Sequence, residues 1–141
     1  MSIHLVATDA EILACFPVLA QLRPHLTAET LLQRVRIQER EGYRLAARRD
    51  DHGTVRACAG YRFLHLLHRG HVLYVDDLVT DAAARSNGHG HALMEWLTAE
   101  ARAAGCEELQ LDSGTHRHEA HRFYFRERMT ISCYHFSLPL K

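Results

Sequence analysis

Residues Ala84–Leu97 read ARSNGHGHALMEWL. An arginine stands three residues before Gly88, a second glycine follows at Gly90, and a helical pattern begins at once. A helix N-terminus leaves backbone N–H groups unpaired and carries about half a positive charge, so it is a natural seat for an anion. Glycine removes the Cβ that would keep a large anion at a distance. Arg85, Ser86, Asn87, Gly88, His89 and Gly90 therefore read as a phosphate or pyrophosphate cradle. The bland alternative is a plain left-handed turn into a helix.

Two familiar phosphate loops fit poorly. The nucleotide P-loop needs Gly-Lys-Ser/Thr at the helix start, and here the chain has Gly88-His89-Gly90-His91. The dinucleotide fingerprint needs a third glycine where Leu93 stands, directly off a strand, whereas residues 81–87 separate Thr80 from Gly88. Asp112, roughly twenty residues on at the end of the next strand, is the one feature in its favour.

Outward from the loop, the chain reads as one domain, residues 1–141, of ordinary size. Ile3–Ala7 is a strand that runs into a Thr8-Asp9 cap. Ala10–Gln21 is helical, Arg23-Pro24-His25 breaks it, and Thr27 opens a second helix that fades at Glu41-Gly42. The period then changes to two over Tyr43–Arg49, Val55–Leu67 and His71–Thr80, with turns at 50–53 and 68–70, which predicts antiparallel strands. A third helix runs from Gly88 to about Ala104, with Leu93, Trp96, Leu97, Ala101 and Ala104 as its apolar stripe. Glu107–Asp112 is a strand reached by a crossover long enough to be parallel. His116–Arg126 is helical, and Met129–Leu138 alternates as a closing strand. The fold class is α+β: a mixed, mostly antiparallel central sheet flanked by helices, with the glycine loop at the N-terminus of the third helix.

Composition narrows the function. Seventeen basic residues balance seventeen acidic ones, so no positive excess exists for a nucleic-acid backbone. No apolar run approaches a membrane span, and the start MSIHLVATDAEILACF has no basic region before its apolar part, so neither a membrane segment nor a signal peptide is expected. Cys15, Cys58, Cys106 and Cys133 stand far apart without a Cys-x-x-Cys pair, which points to a cytoplasmic protein with buried thiols. Twelve histidines invite a metal reading. His116, His118 and His121 lack the i, i+4 spacing that puts two ligands on one helical face, so no metal site is expected, and His116 or His118 could instead line a cleft or serve as a base. His89 and His91 read as surface or cofactor-side residues.

Asp76 and Asp77 are unusual in the apolar strand LYVDDLV, because charges are scarce in central strands and adjacent residues face opposite ways. A base or acceptor-binding carboxylate is one use for them, with Asp76 favoured because it shares parity with Tyr74, Leu78 and Thr80. An ion pair or a loop cap is the other. Tyr124 lies between Phe123 and Phe125, where packing would be the ordinary role of an aromatic.

The stretch DDLVTDAAARSNGHGHALMEWLTAEARAAGCEELQLD, Asp76–Asp112, resembles the cofactor motif of the GNAT family of acyl-CoA-dependent N-acetyltransferases. EAHRFYFRERM, Glu119–Met129, is similar to that family's tyrosine segment, and the order of elements over all 141 residues fits as well. The chain departs from the family at Ala82, where a proline is frequent, at Arg128-Met129, often Gly-Phe, and at Arg117, often asparagine. The resemblance implies acetyl-CoA as acyl donor, with its pyrophosphate on the amides of residues 85–90. It also implies the pantetheine arm against the backbone of Leu78, Val79 and Thr80, an oxyanion held by an amide near Val79 or Thr80, and Tyr124 as the acid that protonates the leaving thiolate. The acceptor would be a primary amine of a small molecule or of a protein. A non-catalytic acyl-CoA-binding module is the alternative; it would keep the loop and need neither Tyr124 nor the acids. The alternating C-terminal strand is a candidate for pairing with a second copy in a homodimer.

Overall fold

The stretch with a side-chain period of two becomes the centre of the sheet. In the computed structural model, which describes residues 2–141, strands β2 (Arg44–Arg49), β3 (Val55–Leu66) and β4 (Gly70–Thr80) form an antiparallel meander. β1 (Ser2–Leu5) pairs antiparallel with β2, and β5 (Glu108–Leu111) lies beyond β4. The strand order β1-β2-β3-β4-β5 makes a five-stranded mixed sheet flanked by helices. The described chain divides into two compact units, one ending at Gln110 and one starting at Leu111.

The first expected helix is two. α1 (Asp9–Ala14) and α2 (Phe16–Leu22) meet at Cys15, because Pro17 in the first turn of α2 has no N–H to carry a continuous ladder. Thr8 and Glu11 close a capping box on α1, as do Thr27 and Thr30 on α3 (Ala28–Glu39). Ile12, Cys15, Val18, Leu19, Leu31 and Val35 from these helices bury one sheet face with Tyr43, Leu45, Ala47, Cys58 and Val79. Helix α4 (His89–Ala103) carries buried Leu93, Met94, Leu97 and Ala101. Its Trp96 meets Tyr61 of β3 edge to face at 5.8 Å, which places α4 on the opposite face. Ala104, expected in the stripe, is the exposed C-cap, and Gly105 follows at φ +75°.

In the second unit, α5 (His118–Arg126) buries Tyr124 and is followed by Arg128 at φ +66°. The expected closing strand Met129–Leu138 is absent: residues 130–141 take no strand pairing and are exposed. Alternation says which side chains would share a side of a strand; only a neighbouring strand makes it one. Among the described residues no helix is long and apolar enough to cross a membrane.

Candidate active site

The end of β4 is fixed before the glycine loop begins. Asp81 accepts from Gln21 Nε2 (3.1 Å), the Ala83 amide (3.2 Å) and an Arg56 guanidinium N (2.9 Å), and its own amide donates to Arg56 O at 2.7 Å. These donors, Gln21 first, hold the Asp81 carboxyl below its ordinary range. Arg56 also grips Asp50 at 2.8 Å and, as the largest cause, lowers that carboxyl to about 2. At Ala82 the chain uses the N–H that a proline would lack, donating to Gln21 Oε1 at 2.8 Å. The chain's departure from the family pattern thus comes with its own anchor.

Residues Arg85–Gly88 are exposed, with Ser86 at φ +68° and Gly88 at φ +79°. Gly88 is the N-cap of α4 and no side chain caps the helix. The helical ladder starts with Ala92 N to Gly88 O at 3.0 Å, so the amides of His89 and Gly90 have no acceptor inside the helix. A Cβ on Gly88 would meet nothing within 4 Å. The mouth of α4 is open, amide-lined and electropositive, which fits a diphosphate. His89 corrects an expectation: its side chain is buried and accepts from Arg48 Nε at 3.0 Å through Nδ1. Burial and then Arg48 push its pKa down, so it is a neutral ring inside the protein, not a substitute for a surface lysine. His91 is exposed and lies 3.2 Å from Glu95.

Leu78, Val79 and Thr80 pair with Ala59, Cys58 and Ala57 of β3. On the other side of β4, β5 begins beside His71, where Glu107 N donates to His71 O at 2.7 Å, and is four residues long. It ends before the far half of β4. Among the described residues, 78–80 therefore have a strand on one side only.

Asp76 and Asp77 sit at a β-bulge: Gly60 faces Asp77 and Tyr61 faces Val75, so Asp76 is the extra residue. The bulge undoes the expected opposition of the two side chains. Asp77 accepts from Tyr43 Oη (2.9 Å) and Arg23 Nε (3.1 Å). Asp76 accepts from Arg62 Nε (3.0 Å), and the same guanidinium lies 5.7 Å over the Tyr43 ring. Arg23 also donates to Asp76 O at 3.2 Å. Burial raises the pKa of Asp76 against the pull of Arg62. Burial first, then Asp77, drives the Tyr43 hydroxyl well above its ordinary value and keeps it neutral.

Arg23, Tyr43 and Arg62 were missed in sequence. Arg23 stood out only as part of a helix break and Tyr43 as a strand start. They lie 54 and 34 residues from Asp77, with no local pattern to join them.

In the second unit, Tyr124 is the buried residue of α5, 5.5 Å from the Phe123 ring, and its carbonyl accepts from the Met129 amide at 3.0 Å. Arg128, where the family often has glycine, takes the left-handed conformation glycine adopts freely. His121 reaches Gly114 O at 2.7 Å and meets His118 edge to face, and among the described residues no three potential ligands gather as a metal site.

The family model for the GNAT acetyltransferases matches residues 8–129. The uncharacterized N-acetyltransferase YhdJ of Bacillus subtilis is 37% identical over 127 residues, 89% of either chain. The aminoalkylphosphonate N-acetyltransferase of Salmonella typhimurium is 34% identical over 98 residues, 70% of this chain and 62% of that one. Among solved structures, the ribosomal-protein-alanine N-acetyltransferase of Brucella melitensis superposes with a TM-score of 0.83 at 16% identity, over 99% of this chain and 100% of the other, a likeness of fold. With a family model over most of its length and a relative this similar, the chain belongs to the GNAT family of acetyltransferases.

Proposed function

We propose that the protein transfers the acetyl group of acetyl-CoA to a primary amine by direct attack on the thioester. The observation that carries this is the open, uncapped mouth of α4 beside a stretch of β4 paired on one side only. The amides of residues 85–90 suit the diphosphate, and the free backbone of Leu78–Thr80 suits the amide-rich pantetheine arm. An alkylammonium must lose a proton before it attacks. Asp76, whose pKa is raised, is the preferred base. Asp77 follows, since it already holds Tyr43 and Arg23. Tyr124 supplies the proton that the leaving thiolate takes up; transfer from a phenol of pKa ~10 to a thiolate whose thiol has pKa ~8.5 is uphill by only about 1.5 units, and the tyrosinate then regains a proton from solvent.

The acceptor is a small amine. The aminoalkylphosphonate relative makes amines bearing an anionic group the first compounds to try. The spacing of the cysteines keeps the cytoplasm as the proposed setting.

Thiol release from acetyl-CoA over a panel of amines tests the proposal, with calorimetric titration of coenzyme A beside it. Tyr124→Phe and Asp76→Asn should each slow release by about 10²–10⁴ while coenzyme A still binds. If both variants turn over like the parent, the assigned acid and base are wrong. If coenzyme A binds and no amine releases thiol, the protein is the non-catalytic module instead.

A further inference from the structure

One side of the β3–β4 pair carries a row of rings that ends in two histidines. Tyr61 meets Phe63 edge to face at 6.0 Å, and Phe63 lies 5.6 Å from the His71 ring. His71 stacks on His65 with centroids 4.3 Å apart and planes 5° from parallel. The two histidines are partners in register, next to the turn that joins the strands.

The backbone brings them close. The N–H and C=O of a strand residue point to the same side of the strand. His71 O accepts from Glu107 N at 2.7 Å, so the backbone groups of His71 turn toward β5 and away from β3. His65 and His71 are therefore a non-hydrogen-bonded pair, the kind whose Cα atoms stand about 4.5 Å apart and whose side chains come nearest. Phe63 backs the His71 ring and is itself covered by the Arg44 guanidinium at 5.4 Å.

Packing alone would be served by another phenyl ring, as at Phe63. Imidazoles add nitrogen lone pairs, and here these are uncommitted. Among the described residues neither ring has a hydrogen bond or an ion pair, whereas His89, His91 and His121 each have a polar partner. His65 is exposed and His71 half-buried, so a solute can reach the pair. Neutral imidazole is the commonest metal ligand of proteins and suits nickel, copper and zinc. Two nitrogens bound to one tetrahedral ion at about 2.0–2.1 Å stand about 3.4 Å from each other. A small tilt of each ring toward the other closes the present spacing to that distance.

From this pair we propose a metal site. His65 and His71 each give one nitrogen to a first-row divalent transition ion of the nickel–copper–zinc group, and water fills its other positions. The site lies at the opposite end of β4 from Leu78–Thr80, roughly 20 Å away at the rise of a strand. It does not depend on the acetyl-transfer reading.

Two-dimensional ¹⁵N NMR of the full chain with Ni²⁺ below one equivalent tests this. The paramagnetic ion broadens the amides nearest to it, and it does not oxidise the exposed Cys133 thiol as Cu²⁺ would. The amides of residues 63–66 and 70–73 should fade first. Zn²⁺ titrated into the same sample should shift those amides. His65→Phe and His71→Phe keep a ring in the stack and remove one ligand. Each should abolish the local broadening and raise the half-saturating Zn²⁺ concentration at least about tenfold. His52→Asn, which alters an exposed histidine in the turn after β2, should change neither. An unchanged amide pattern for Leu93–Ala101 of α4 shows that a variant is folded. Should His71→Phe fail that check, His65→Phe carries the test, because its ring is the exposed one. Broadening that begins elsewhere, as at residues 116–121, overturns the proposal. So does broadening that survives His65→Phe, or none at all in the parent.

Discussion

Gly60→Ala should do far more damage than its one added methyl suggests. Gly60 faces Asp77 across β3 and β4, at the bulge. An ideal Cβ there would lie 1.8 Å from Tyr43 Oη, 2.4 Å from Cζ and 2.6 Å from Cε2. The Tyr43 ring has nowhere to go: it is 4% exposed, under the Arg62 guanidinium, with its hydroxyl on Asp77. Overpacking a tight site costs about 1–3 kcal/mol. Pushing the ring aside also forfeits a hydrogen bond to a charged group, about 1.5–3 kcal/mol. Together the loss is about 3–5 kcal/mol, or about 10–15 °C in Tm for a chain of this size. Urea unfolding of the single variant and of the Tyr43→Ala/Gly60→Ala pair checks the cause. With the ring gone, the alanine should be nearly neutral or favourable by about 0.5–1 kcal/mol, because glycine is poor in a strand. If Gly60→Ala destabilises both backgrounds equally, the clash with Tyr43 is not the mechanism.

Other positions give separate tests. Gly88→Ala puts a side chain at φ +79° with open space around it, so only backbone strain should act, about 1–2 kcal/mol by thermal melt, together with weaker coenzyme A binding by calorimetry. Histidine 89 is held neutral when folded and titrates near 6.5 when unfolded, so its contribution is complete above ~6.5 and drains as pH falls below that value toward the lower folded pKa. Between pH 7 and 5 the parent should therefore lose more Tm than His89→Gln, which can still accept from Arg48; parallel curves would count against a depressed pKa. Asp50 behaves alike at lower pH: its stabilising pairing with Arg56 is whole above the unfolded value near 3.9 and is lost as pH falls through about 2, which acid titration followed by NMR would show. Asp77→Asn should slow thiol release far less than Asp76→Asn, since an asparagine oxygen can still accept from Tyr43; equal losses would return Asp77 to candidacy as the base.

What was legible in the sequence was whatever a short window of residues decides. The change of period at Tyr43 marked the meander, and Gly88 and Gly90 marked the mouth of α4. Thr8 and Thr27 marked helix starts because a cap needs only its own next turn. Illegible were the features set by partners far along the chain. Pro17 splits a helix that apolar spacing alone would keep whole. The tail alternates as well as any strand here, yet alternation cannot supply a neighbour. The bulge at Asp76 comes from a mismatch of register between two strands, each of which looks regular by itself.

The same distance effect reverses the electrostatic meaning of the two aspartates. In sequence, two acids in an apolar strand read as unpaired carboxylates free to act as a base or to bind the acceptor. In the fold, Arg62 stands on Asp76 and Arg23 on Asp77, so two positive charges face two negative ones. Paired charges at roughly 3 Å present little net field to an approaching ligand, because each cancels the other at any distance well beyond their separation. A polycation would find no attraction here. Arg23 is the more exposed of the two arginines, 44% against 15%, and its side chain is the one a ligand could reach. An acceptor with an amine and an anionic group could borrow Arg23 from Asp77 and leave that carboxylate to Tyr43. Arg23→Ala should then raise KM for such an acceptor while leaving a plain alkylamine unaffected. Equal effects on both would mean that Arg23 only holds Asp77 in place.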